Sequence, residues 1–156
     1  MSKAAGPTLR EELRKLKETT ADMGEGDIVH TVGGNLCCRH VIHCVCCPWK
    51  GDTEQEEILR ELFQKCFDKA SELGAHSIAL LLVGTGNLGF PYKTTIHIMI
   101  QAVVDYSQAN PESPLQEFRV VVFSGDQKGI TAFEETFKEF KKEHMPVLKP
   151  LKARSS

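Results

Sequence analysis

Long apolar runs are missing from this chain of 156 residues. The longest, Ile78–Val83, has six residues, against the roughly 18–20 needed to cross a bilayer. Met1–Arg14 likewise has no apolar core, so no signal peptide is expected there. Neither sign of charge is in excess: 19 Lys+Arg stand against 21 Asp+Glu, a net charge of −2. That balance argues against binding a nucleic-acid backbone, which needs a concentrated basic surface. Aromatic residues make up 7% of the chain, with one Trp, yet 41% apolar and 26% charged residues is an ordinary globular composition. The length suits one hydrophobic core, which commonly serves roughly 100–200 residues.

What the chain has in local abundance is cysteine. Cys37, Cys38, Cys44, Cys46 and Cys47 crowd into eleven residues, and Cys66 stands apart. With no signal peptide the expected compartment is reducing, nucleus or cytosol, and free thiols are the default. A zinc site would need ligand pairs such as C-x2-C; here the spacings are adjacent pairs and one C-x-C. No metal site is expected, and small buried hydrophobes are the simpler reading. On a strand, Cys44 and Cys46 would share a face with Ile42, while His43, Val45 and Cys47 would point the other way.

Periodicity orders the rest. Thr8 to about Thr20 reads as a short helix, with Leu9, Leu13 and Leu16 at helical spacing and Thr8/Glu11 like a capping box. Ile28–Val32 is a strand, Gly33–Asn35 a turn, and Arg39–Cys47 a second strand ended by Pro48. Asp52 or Thr53 caps a long helix to about Leu73, its inner face carrying Ile58, Leu59, Leu62, Phe63, Cys66, Phe67 and Ala70, with Gly74 as its stop. Ser77–Val83 has the continuous apolar pattern of a strand covered on both faces. A helix to about Ser107 follows, with Ile96, Met99, Ile100 and Val103 inside. Then come a proline-containing loop, a strand at Phe118–Phe123, a polar turn at Ser124–Gly129 and a last helix at Ile130–Glu143. From Pro146 the tail reads as disordered. Strands alternating with amphipathic helices predict an α/β sandwich with parallel central strands, opening unusually in a helix.

The densest chemistry is Gly84-Thr85-Gly86-Asn87-Leu88-Gly89-Phe90-Pro91, a G-x-G-x-x-G between strand and helix. Glycines let a backbone approach a ligand closely, and N–H groups at a helix start attract phosphate. Pro91 fits the first turn because its missing N–H is not needed there. A tight strand-to-helix turn with no ligand would look the same. A Rossmann dinucleotide site is excluded. It needs an acid ending the next strand, but Asp105 falls in a helix, Asp126 comes too late, and two strands precede the glycine turn.

These residues resemble the macro-domain family. Ile78–Pro91 is similar to that family's second binding loop, and Val41-Ile42-His43 after Asn35-Leu36 resembles its N-L-x-x-x-x-V-I-H strand. Ala4-Ala5-Gly6-Pro7 with Leu9 and Glu12 is similar to the end of its first helix, and Phe118–Phe137 resembles the tandem macro domains of macro-domain mono-ADP-ribosyltransferases, the B-aggressive-lymphoma group. The resemblance runs from Lys3 to about Lys142. It implies a three-layer α/β/α sandwich with a mixed, mostly parallel sheet, spanning 1–145, with a tail at 146–156.

The resemblance also implies a function, the binding of ADP-ribose, free or attached to proteins. In the family the glycine loop cradles the diphosphate and proximal ribose, which points here to Val83, Gly84, Thr85, Gly86, Asn87, Leu88, Gly89 and Phe90. The adenine side falls at Phe123, Ser124 and Gly125. The strand ends Val83 and Phe123 should meet at one sheet edge, where open α/β sheets place ligands. The family's adenine-reading Asp, its Asn-Ala-Ala-Asn strand end and its Gly-Gly-Gly loop are not in this sequence. Asp27 only imitates the first, and Cys46-Cys47-Pro48 stands where the family has Gly-Pro. The expectation is therefore a domain lacking N-terminal strands that binds ADP-ribose without hydrolysing it, needs no cofactor, and self-associates through an exposed sheet edge. An interaction fragment without ligand competence, or an ADP-ribosyl-protein hydrolase, are the alternatives. His43 is expected to be structural, and Trp49 a packing residue.

Overall fold

The computed structural model describes residues 6–8, 10–12, 14–15, 23–144 and 153–155. The chain divides into two compact units, residues 1–45 and 46–156.

In the first unit the described residues between 6 and 15 are helical; Gly6 and Pro7 already belong to the helix, so Thr8 lies inside it rather than capping its start as expected. Leu9, Leu13 and Leu16, which carry that expectation, lie outside the described residues. Two strands follow, β1 (Ile28–Val32) and β2 (His40–Cys44), paired antiparallel with Ile28 opposite Cys44 and Val32 opposite His40. Just beyond the ladder, outside both strands, Val45 donates to Asp27 (3.0 Å) and Gly26 donates to Val45 (2.7 Å). Thr31 is the buried residue of β1, and its Oγ1 lies 2.9 Å from His43 Nε2 on the facing strand. His43 is thus a structural residue of the hairpin. Because β1 begins at Ile28, the ladder ends at Cys44 rather than at the expected Cys47. Cys46 and Cys47 lie in the second unit, outside any strand, so Cys46 shares no strand face with Cys44.

The second unit opens with helix α1 (Thr53–Glu72). The backbone N–H of Asp52 donates to Gln55 Oε1 at 3.1 Å, the reciprocal half of a capping box, and Glu54 and Glu56 sit favourably in the positive first turn. Leu59, Leu62, Phe63, Phe67 and Ala70 are buried along one face. Gly74 stops the helix with φ +75°; its N–H reaches the Ser71 carbonyl (3.0 Å) and Ala75 reaches Ala70 (2.9 Å), which together make a Schellman motif.

Strands β3 (Ser77–Leu80), β4 (Glu117–Val122) and β5 (Ala153–Ser155) form a parallel sheet in that order, with Ile78 beside Phe118 and Leu80 beside Val120. Parallel and antiparallel pairing thus occur in separate sheets among the described residues, where the sequence predicts one mixed sheet. Between these strands run α2 (Tyr92–Ala109) and α3 (Gln127–His144). Of the tail expected to be disordered, Ala153–Ser155 pair as β5, and 145–152 and 156 lie outside the described residues.

β3 departs from expectation. It ends at Leu80, not Val83, and only one of its faces is covered: Leu80 is buried and Ile78 half-buried, while Ser77, Ala79 and Leu81 are exposed. The reason is position. Among the described residues β3 is an edge strand of its sheet, and the helices pack where β4 places Phe118, Val120 and Val122. There Phe67 of α1, Tyr106 of α2 and Phe118 of β4 meet edge-to-face, with ring centroids 5.1–6.2 Å apart. α2 packs against both α1 and α3 and is buried nearly all round, through Ile96, Ile98, Met99, Ile100, Ala102, Val103 and Val104. Phe133 and Phe140 bury the inner face of α3.

Candidate functional site

The glycine loop leaves β3 at Leu81 and enters α2 at Tyr92. Two of its glycines are there for conformation. Gly84 and Gly89 both have φ +82°, a region other residues seldom enter. A Cβ on Gly84 would also lie 2.9 Å from the Phe90 ring. Gly86 differs: its φ is ordinary and the space beside it is open.

Internal bonds fix the loop's shape. Phe90 N–H donates to the Gly84 carbonyl (2.9 Å) and Gly89 N–H to Gly86 (3.1 Å), while the Thr85 hydroxyl donates to Leu82 (2.7 Å). From outside, Trp49 N–H donates to the Leu88 carbonyl (2.8 Å), and its ring packs on Phe90 with centroids 5.0 Å apart. Phe90 is buried; Cys46 Sγ lies 3.5 Å from where a Gly84 Cβ would stand. What remains is a row of open donors. Among the described residues, the N–H groups of Gly86, Asn87 and Leu88 make no hydrogen bond. They lie just ahead of α2, whose N-cap is Pro91 with no side-chain cap and no acid in its first turn. Consecutive free N–H groups at an uncapped helix start carry partial positive charge and attract anions.

The second turn follows β4. Phe123 is 67% exposed, and Ser124 and Gly125 are exposed. The Phe123 ring lies across Gly125, where any Cβ would strike it. Because β3 and β4 are parallel neighbours, Val83 and Phe123 both lie three residues beyond a paired position, Leu80 beside Val120. The expected residues therefore leave the same end of adjacent strands.

The sequence reading missed what joins the two turns. The Tyr92 hydroxyl, at the start of α2, donates to both carboxylate oxygens of Asp126 (3.1 and 3.2 Å), and Asp126 Oδ1 accepts the Gly129 N–H (3.0 Å) at the start of α3. Burial first, and then the Asp126 carboxylate, push the Tyr92 pKa above its ordinary value of 10.0. The Asp126 cap had a local signal, a cap-type residue ahead of a helix, but its bond to Tyr92 had none. Trp49 was expected to pack, and does; its backbone bond to the loop was not foreseen.

Two other features bear on chemistry. Cys37 and Cys38 are exposed thiols, and Cys47 is buried. Among the described residues, no three His, Cys, Asp or Glu side chains gather as a metal site would require.

A family model described as "Macro domain" matches residues 1–99. The chain belongs to the macro-domain family. Over 134 residues this macro domain is 34% identical to human protein mono-ADP-ribosyltransferase PARP14, a match covering 85% of the chain but only 7% of that protein. It is 31% identical to a macro domain-containing protein of Caldanaerobacter subterraneus, over 90% of the chain and 78% of the relative. It is also 32% identical to an O-acetyl-ADP-ribose deacetylase of Escherichia fergusonii, over 67% of the chain and 59% of the enzyme. The fold matches the Oceanobacillus iheyensis macrodomain solved with ADP, at a TM-score of 0.80 and 24% identity, covering 92% of this chain and 75% of that one. The α/β macro-domain fold predicted from the sequence is thereby shown.

Proposed function

We propose that this macro domain is a binding module for ADP-ribose, free or linked to proteins. The observation that carries the proposal is the row of open N–H groups at Gly86, Asn87 and Leu88, presented to an uncapped helix start. A diphosphate supplies acceptor oxygens and negative charge to match it. Val83–Phe90 would hold the diphosphate and proximal ribose, and Phe123, Ser124 and Gly125 the adenine side. No cofactor enters this reading.

Hydrolysis is a second reading, raised by the deacetylase names among bacterial relatives. The loop's own hydroxyl favours binding over catalysis: that of Thr85 is engaged with the Leu82 backbone carbonyl. A backbone carbonyl is no base that could activate that hydroxyl, as nucleophilic chemistry requires. We also propose a reducing compartment, nucleus or cytosol, which suits the exposed thiols of Cys37 and Cys38. We further propose self-association through the edge of β3 that is unpaired among the described residues, to be checked by sedimentation.

Isothermal titration with ADP-ribose, with AMP as control, tests the main reading. ADP-ribose should bind at least about tenfold more tightly, or about 1.4 kcal/mol. Gly86→Glu should remove that binding while leaving the fold intact, because position 86 has ordinary backbone and open space for the carboxylate. A folded wild-type chain that ignores ADP-ribose would sink the proposal.

A further inference from the structure

We infer that Tyr92 and Asp126 form a clasp that sets the spacing between the two binding turns, making both of them positioning residues. The inference rests on the ADP-ribose reading above and goes beyond it, since neither residue belongs to the loop or to the adenine side.

The argument starts from what each half of the site lacks. The glycine loop is braced from within and by Trp49, so its own shape is settled. The turn after β4 is held by Asp126, whose N–H donates to the Phe123 carbonyl (2.9 Å) and whose Oδ1 caps α3 through Gly129. Neither set of bonds fixes one turn against the other. Strand pairing ends at Leu80 beside Val120, well short of both turns. Tyr92–Asp126 spans that gap, joining residues 34 apart in the chain with a hydroxyl placed evenly between two carboxylate oxygens. A second contact shows how closely the parts meet: a Cβ on buried Gly129 would collide with Asp126 Oδ2 and lie 3.2 Å from Leu82 Cδ1, just ahead of the glycine loop.

A ligand long enough to touch both turns gains from having their separation fixed in advance, because the second contact then forms at high effective concentration. A ligand that touches only the glycine loop gains nothing. That difference separates a positioning role from a merely structural one. A weakened fold would reduce binding of both ligands alike.

The test uses Tyr92→Phe, which keeps the ring and loses only the hydroxyl, with ADP-ribose as the two-turn ligand and inorganic pyrophosphate as the one-turn probe. Both are followed by amide NMR shifts at Gly86, Asn87 and Leu88. Expected is a loss of about tenfold for ADP-ribose with pyrophosphate unchanged. Asp126→Ser, which keeps a helix cap but is too short to reach Tyr92, should reproduce it, and the double variant should add nothing further. An equal loss for both ligands, or no loss for ADP-ribose, overturns the clasp. Hydrogen exchange in the ligand-free protein keeps this outcome separate from the fate of the binding proposal. If the wild type binds neither ligand, the ADP-ribose reading fails. The clasp then stands if Tyr92→Phe speeds exchange at both Phe90 and Gly129, and falls if Phe90 is unchanged.

Discussion

The helices α2 and α3 begin in the same situation, just after a parallel strand, and end up chemically opposite. α3 begins under the carboxylate of Asp126, which accepts the Gly129 N–H and so fills the positive end of the helix with the chain's own anion. α2 begins at Pro91 with no side-chain cap and no acid in its first turn. α1 resembles α3, with Glu54 and Glu56 in its first turn. The proposed anion site lies where the sequence withholds a carboxylate, and the glycine loop adds further donors at that one place.

The largest effect expected from disturbing this contrast is at Gly84. Gly84→Ala forces a side chain into φ +82° and against the Phe90 ring. It should cost about 2–3 kcal/mol in denaturant unfolding and remove ADP-ribose binding in the same sample. Next, Asp126→Ala would make the start of α3 as bare as that of α2. Losing a helix cap costs about 1 kcal/mol, to be read from the denaturation midpoint. Pro91→Asp does the reverse and gives α2 a carboxylate of its own. Stability should rise by about 0.5–1 kcal/mol while ADP-ribose affinity falls by about tenfold, since the new carboxylate competes for the same donors. A rise in both would show that the N-terminus of α2 takes no part in binding.

The smallest effect lies in the other unit and serves as a control. Burial lowers the His43 pKa from its ordinary 6.5, so the folded hairpin favours neutral imidazole. Its contribution is in full force above pH 6.5 and declines as the pH falls through that value towards the lowered folded one. Amide protection along β1 and β2, corrected for intrinsic exchange, should therefore fall between about pH 7.5 and 5.5. His43→Gln, which keeps a partner for Thr31 but does not titrate, should flatten that profile, isolating His43 from His30 and His40 on the same hairpin.

Much of this was legible in the residue order. The 3.6-residue spacing of Leu59, Leu62, Phe63, Phe67 and Ala70 announced α1 and its buried face, and Gly74 its end. The glycine loop was legible because conformation demands particular residues at particular places: Gly84 and Gly89 take positive φ, and Pro91 begins the helix. The coverage of β3 was not. An apolar run of six residues looks alike in a strand covered on both faces and in an edge strand running into a turn, and only sheet order separates the two. Cys46 was misplaced because the length of an antiparallel ladder is set by both strands, and β1 gave out first. The Tyr92–Asp126 bond was invisible for a different reason. A side-chain contact across 34 residues leaves no periodic trace in a single sequence.

The burial of α2 on nearly every side has a consequence for how ligand occupancy would be felt. A loop on a peripheral helix could peel away while the rest of the fold stood. This loop runs into the helix that α1 and α3 both hold, so its C-terminal anchor cannot come loose unless the core opens with it. A molecule resting on Gly86–Leu88 would then hold the whole second unit closed. Its presence would register as slower proteolysis and a higher melting temperature throughout that unit, including at side chains the ligand never touches.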